Sequence, residues 1–78
     1  MTRSRKVVAA FDTTSDAMLA EALCKEHHIA GRLIPIPTDI SAGCGLAFMM
    51  PPEEEEHFKT VVEGRLTPSG YYERELRG

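Results

Sequence analysis

Two cysteines and three histidines carry the reactive side-chain chemistry of this 78-residue chain, and their surroundings differ. Cys44 sits in Ser41-Ala42-Gly43-Cys44-Gly45, between two glycines. Glycine on both sides leaves a thiol without steric cover and lets backbone amides turn toward an anion, which favours thiolate over thiol. Such a segment suits a sulfur nucleophile or acceptor, with Cys44 as the reacting thiol and Ser41, Gly43 and Gly45 as its binding surround. The same residue types also suit a small apolar side chain at the core end of a strand, because free cysteine is among the most buried residue types. Cys24 and His28 are four apart and would share a helix face, as soft and imidazole ligands of zinc would, with Cys44 as a third ligand. Against a metal, there is no second spaced ligand pair, and structural zinc sites take four protein ligands. Cys24 shares its face with apolar residues and reads as core. His27, His28 and His57 have no assignable geometry to Cys44, so no general base is named and no cofactor is implied.

The elements that must position these residues follow from pattern. Lys6 to Phe11 is a short apolar run ending at Asp12-Thr13-Thr14-Ser15, whose side chains suit the free amides of a helix start. Ser15 to His28 then predicts a helix with Ala17, Ala20, Leu23, Cys24 and His27 on the face that packs on a sheet. Ile29 to Ile36 reads as a second strand. Pro35 and Pro37 cannot donate to a ladder and confine it to a sheet edge. Thr38 to Cys44 is a connection with one isolated apolar residue, Ile40.

Gly45 to Met50 is apolar on both faces, as a central strand would be, and Pro51-Pro52 ends it. Pro52 to Glu63 predicts a second helix, with Phe58, Val61 and Val62 inward, Glu53 to Glu56 as a solvated acidic first turn and Gly64 as the C-terminal cap. Met18, Met49 and Met50 read as packing residues. Tyr71-Tyr72-Glu73 offers a short last strand. The order is βαββαβ, that of a ferredoxin-like α+β sandwich: an antiparallel four-stranded sheet with two helices on one face. A doubly apolar third strand and two tyrosines point to an exposed sheet face, for which a homodimer is one remedy.

Composition bounds the function. At 42% hydrophobic and 27% charged residues the chain has globular composition, and its length predicts a single domain over residues 1–78 with an ordered core of about 6–75. A core this thin lines no deep pocket, so a carrier or binding module is favoured over a turnover enzyme. Nine Lys and Arg stand against twelve Asp and Glu. The one basic cluster, Arg3, Arg5 and Lys6, lies at a terminus expected to fray, which argues against nucleic acid. No apolar stretch is long enough to span a membrane. The run Val7 to Phe11 is too short for the core of an export signal, so a cytoplasmic protein with two free thiols is expected.

Val7 to Phe11, Ala17, Glu21, Leu33-Ile34-Pro35-Ile36-Pro37, Ile40-Ser41 and Cys44-Gly45-Leu46 together resemble a family of small domains described as selenium/sulfur carrier protein-like. The resemblance covers about residues 6–64. Its most specific part is P-x-P, six residues, then C-G and a hydrophobic residue. The family's cysteine falls on Cys44. The resemblance implies that Cys44 holds sulfur or selenium as a persulfide or selenopersulfide and passes it between partner proteins, with a cysteine desulfurase or a selenium-handling enzyme as donor. Two departures stand out: Glu26-His27-His28-Ile29, where a small residue or glycine is expected before the second strand, and Cys24 at an apolar position. The rival readings are a non-catalytic interaction or small-ligand module with a structural Cys44, or a metal site using Cys24 and His28.

Overall fold

The computed structural model describes residues 3–40 and 45–77. Within them, β1 (Arg3–Ala10) leads into α1 (Thr14–Glu26), β2 (Arg32–Pro35) and β3 (Leu46–Met50). A single 3-10 turn (Pro52–Glu54) then opens α2 (Glu55–Val62), and β4 (Gly70–Arg77) closes the order. The strands form a sheet in the order β2-β3-β1-β4, with every neighbouring pair antiparallel. This is the ferredoxin-like arrangement, with β1 and β3 inside and the proline-bearing β2 at an edge.

One face of the sheet carries the helices. Val7, Ala9, Phe48 and Met50 meet Ala17, Ala20, Leu23 and Cys24 of α1 and Phe58 and Val62 of α2 in one buried cluster. Phe58 is its centre: it stacks on Phe48 at 5.6 Å between ring centroids and meets Tyr71 edge-on at 6.1 Å. Truncating such a ring costs about 3–5 kcal/mol. The α1 face forms as the spacing predicts except at His27, which is exposed. Met18, expected to pack, is 59% exposed, because the helix turns that position away from the sheet.

The helix start and stop are locally determined. The Thr13 hydroxyl accepts from the Asp16 N–H at 3.1 Å and caps α1. At the other end His28 N–H donates to the Lys25 carbonyl and Ile29 N–H to the Cys24 carbonyl, with His28 at φ +58°. This is a Schellman turn in which histidine occupies the left-handed position that glycine normally takes. Residues 27–31 therefore belong to a turn, and β2 starts at Arg32 rather than at Ile29. Gly31 (φ +147°) passes so close to β3 that a Cβ would lie 2.5 Å from the Met49 carbonyl oxygen, so only glycine fits there.

The two terminal strands are longer than their sequences suggest. β1 and β4 pair over eight positions, from Arg3↔Arg77 to Ala10↔Gly70. The basic segment expected to fray is thus the outer half of an inner strand.

Candidate functional site

The middle of the sheet face opposite the helices is covered by the chain itself. Val8, Ala10 and Ala47 form its buried floor, joined by Ile34, Tyr72 and Leu76 at the sides. The cover comes from the β2–β3 connection, which carries the cysteine motif: Ile40 is 6% exposed and packs into this cluster, with Ile36 beside it. This face, expected to be exposed, is filled at its middle by Ile40, the isolated apolar residue of the connection.

Three contacts fasten this connection. Ile36 N–H donates to the Gly45 carbonyl at 2.9 Å, closing the mouth of the β2–β3 hairpin. Ile40 N–H donates to the Pro37 carbonyl at 3.0 Å, bending the chain down onto the sheet. Asp39 is held by Arg74 of β4, whose Nε and terminal nitrogen both reach Asp39 Oδ2, at 2.8 and 2.7 Å. Arg74 also donates to the Glu73 carbonyl at 2.7 Å and lies 5.6 Å from the centre of the Tyr72 ring, so its own position is fixed. These Arg74 hydrogen bonds pull the Asp39 carboxyl below its usual value of 3.8. Nothing in the sequence marks this pair, which joins positions 35 apart.

Of the residues singled out for chemistry, Gly45 lies within the described chain. Ser41, Gly43 and Cys44 lie outside the described residues. Gly45 adopts φ +75° and is exposed, and a Cβ built on it would meet no atom of the described residues within 4 Å. Glycine is required there for the backbone turn and not for want of space. The chain next to Cys44 therefore turns at the head of β3 on a residue whose carbonyl is itself anchored by the Ile36 N–H.

Cys24 is a different kind of thiol. It is 2% exposed within the α1 face, and burial, with a smaller contribution from the Glu54 charge, pushes its pKa up to about 11. At neutral pH it is an uncharged core side chain without nucleophilic character. The helix-face pairing of Cys24 with His28 does not form. α1 stops at Glu26, and His28 lies beyond the cap, exposed and in the left-handed region. No group of three or more metal-ligating side chains is found among the described residues.

Glu54 does more than begin an acidic turn. Its Oε2 accepts from the Ala30 N–H at 3.1 Å, tying the α1–β2 turn to the approach of α2, and its Oε1 lies 3.7 Å from His57 Nδ1. The His57 ring in turn meets His27 edge-on, with 6.5 Å between centroids. The neighbouring Glu55 pairs with Lys59 at 3.0 Å within α2.

Comparison with known proteins assigns this chain to a family. The model of the family described as "Putative Se/S carrier protein-like" matches residues 6–73, a span that takes in β1 from Lys6 onward, both helices, the fastened connection and Cys44. The chain belongs to this family. No significant match was found among curated proteins or among solved structures. The matched span runs beyond the P-x-P and C-G motifs into β4, and it ends one residue before Arg74. Among the described residues of this Se/S carrier-like chain, no helix is long and apolar enough to cross a membrane.

Proposed function

We propose that Cys44 is the carrier thiol of this chain, holding one sulfur or selenium atom and passing it between partner proteins in the cytoplasm. The family match over residues 6–73 carries this reading. The state of the other thiol supports it: of two cysteines, Cys24 is sealed in the core with its pKa raised, which leaves Cys44 for chemistry. The open turn at Gly45 supports it further, since an approaching protein sulfur needs a clear path to the thiolate.

Loading is a thiolate displacement that needs no added oxidant. The Cys44 thiolate attacks the outer sulfur of a donor persulfide. The new S–S bond forms at Cys44 as the donor S–S bond breaks, and the donor leaves as a thiolate, having kept its electron pair. The proton on the outer sulfur stays with it. Unloading is the same step with an acceptor nucleophile. A donor selenopersulfide passes its terminal selenium in the same way. A cysteine desulfurase or a selenium-handling enzyme fits the donor role.

Cyanide provides the test, because it attacks a sulfane sulfur and releases thiocyanate, returning the carrier thiolate. The chain is incubated with a desulfurase and cysteine and then freed of donor. Wild type and Cys24→Ala are expected to release about one equivalent of thiocyanate, and Cys44→Ser none. Equal release from Cys44→Ser, or none from wild type, rejects the assignment.

A further inference from the structure

At the far end of β3 from Gly45, a cavity of about 240 Å³ is lined by Lys6, Arg32, Met49, Gly31 and Pro51, among others. Lys6 precedes Val8 by two positions, Arg32 precedes Ile34 by two and Met49 follows Ala47 by two, so all three lie on the sheet face away from the helices. β1 and β2 flank β3, and Lys6 lies two residues along β1 from Val8, which is level with Met49 and Arg32, so the backbones bearing Lys6 and Arg32 are about 12 Å apart. Their long side chains can therefore close on one small molecule from two sides, over Met49.

The charges around this cavity are unbalanced. Lys6 stands directly opposite Arg74 in the β1–β4 register, a like-charge pairing that weakens a sheet. Asp39 compensates Arg74, whereas partly buried Lys6 and exposed Arg32 form no ion pair with any carboxylate among the described residues. Of the chain's twelve acids, Glu54 approaches the cavity wall, where its Oε2 is taken up by the N–H of the lining residue Ala30 and pairs with neither cation. A local conflict of this kind, in a sequence otherwise consistent with its fold, marks a site kept for something outside the chain.

We infer that this cavity binds a small organic acid, its carboxylate held between Lys6 and Arg32 and its short apolar body resting on Met49. The volume lies below the roughly 300–1,000 Å³ of pockets for drug-sized ligands, which limits the ligand to a few heavy atoms. Three strand residues, Leu46 to Phe48, about 10 Å, separate the cavity from the head of β3, so the site is independent of the Cys44 reading.

The test uses the full ¹⁵N-labelled chain titrated with sodium butyrate at constant ionic strength. The backbone amides of Gly31, Arg32 and Met49 are expected to shift saturably, with a dissociation constant on the order of millimolar for so small a ligand. Lys6→Gln and Arg32→Gln each weaken binding about tenfold, the effect of losing one charge-assisted contact. Butylammonium, with the same number of carbons and the opposite charge, leaves these amides in place. Without ligand, Lys6→Gln resists urea at least as well as wild type at low salt, because a like-charge pair has been relieved. The inference fails if butyrate produces no saturable shift, if butylammonium moves the same amides, if both variants bind as wild type does, or if Lys6→Gln is destabilised.

Discussion

Gly45→Ala isolates the backbone turn beside Cys44, because the structure removes every other contribution. Its φ of +75° is left-handed, and a Cβ there meets no atom of the described residues within 4 Å, so no clash enters. Holding alanine in this region costs about 1–2 kcal/mol. The gain from a less flexible unfolded chain, which favours alanine where φ is compatible, does not offset this, and the net loss is about 1 kcal/mol. Gly64 has the same geometry, φ +80° with nothing within 4 Å, and Gly64→Ala should lose the same amount. Gly31→Ala differs in kind: its Cβ would strike the Met49 carbonyl and Phe48 at 2.5 Å, so its loss should exceed both by several-fold. His28→Gly is the converse change, with left-handed φ +58° relieved in a Schellman turn, and should gain about 1 kcal/mol. Urea denaturation of the four variants gives the ranking, with about 4–8 °C in melting temperature per kcal/mol for a domain this size. A Gly45→Ala chain as stable as wild type, or as damaged as Gly31→Ala, would refute the reasoning.

Further outcomes follow from the same geometry. Ile40→Ala removes a buried side chain from the cover of the open face and should cost about 2–3 kcal/mol in urea denaturation, toward the lower end of such truncations because one side of the site faces the chain surface. Arg74→Ala should raise the Asp39 carboxyl pKa toward 3.8 when followed by carbon-detected NMR. In wild type the lowered Asp39 pKa makes its stabilisation complete above the unfolded value and lost as pH falls through the folded one, and Arg74→Ala should abolish that acid slope. Cys24 has the opposite sign. Its folded pKa, about 11 against 9.0, means that stability holds below pH 9 and falls as the unfolded thiol ionises between these values. Cys24→Ala should flatten that alkaline loss and leave the part due to Tyr71, whose pKa is also raised by burial.

Much of the architecture was legible in the chain because local and global signals agree. The Asp12 to Ser15 cluster gave the start of α1, Pro35 and Pro37 gave the edge position of β2, and Pro51-Pro52 gave the end of β3. β4 was underestimated because Glu73, Arg74, Glu75 and Arg77 look solvated one by one, whereas the strand is held by ladder pairing with β1, which composition does not record. The early start of β2 failed for a related reason: His28 carries the left-handed turn that glycine usually announces. At the site, the turn at Gly45 could be read from residue types. The fastening of its connection could not, since Ile40 finds its cluster on β1 and β3, and Asp39 finds Arg74 on β4, only after the sheet has assembled.

Intact mass spectrometry after incubation with a cysteine desulfurase and cysteine tests the central claim most directly. The account predicts the added mass of one sulfur atom on wild type and on Cys24→Ala, removed by reductant, and no addition on Cys44→Ser. An unmodified wild type, or an adduct that persists in Cys44→Ser, would contradict it.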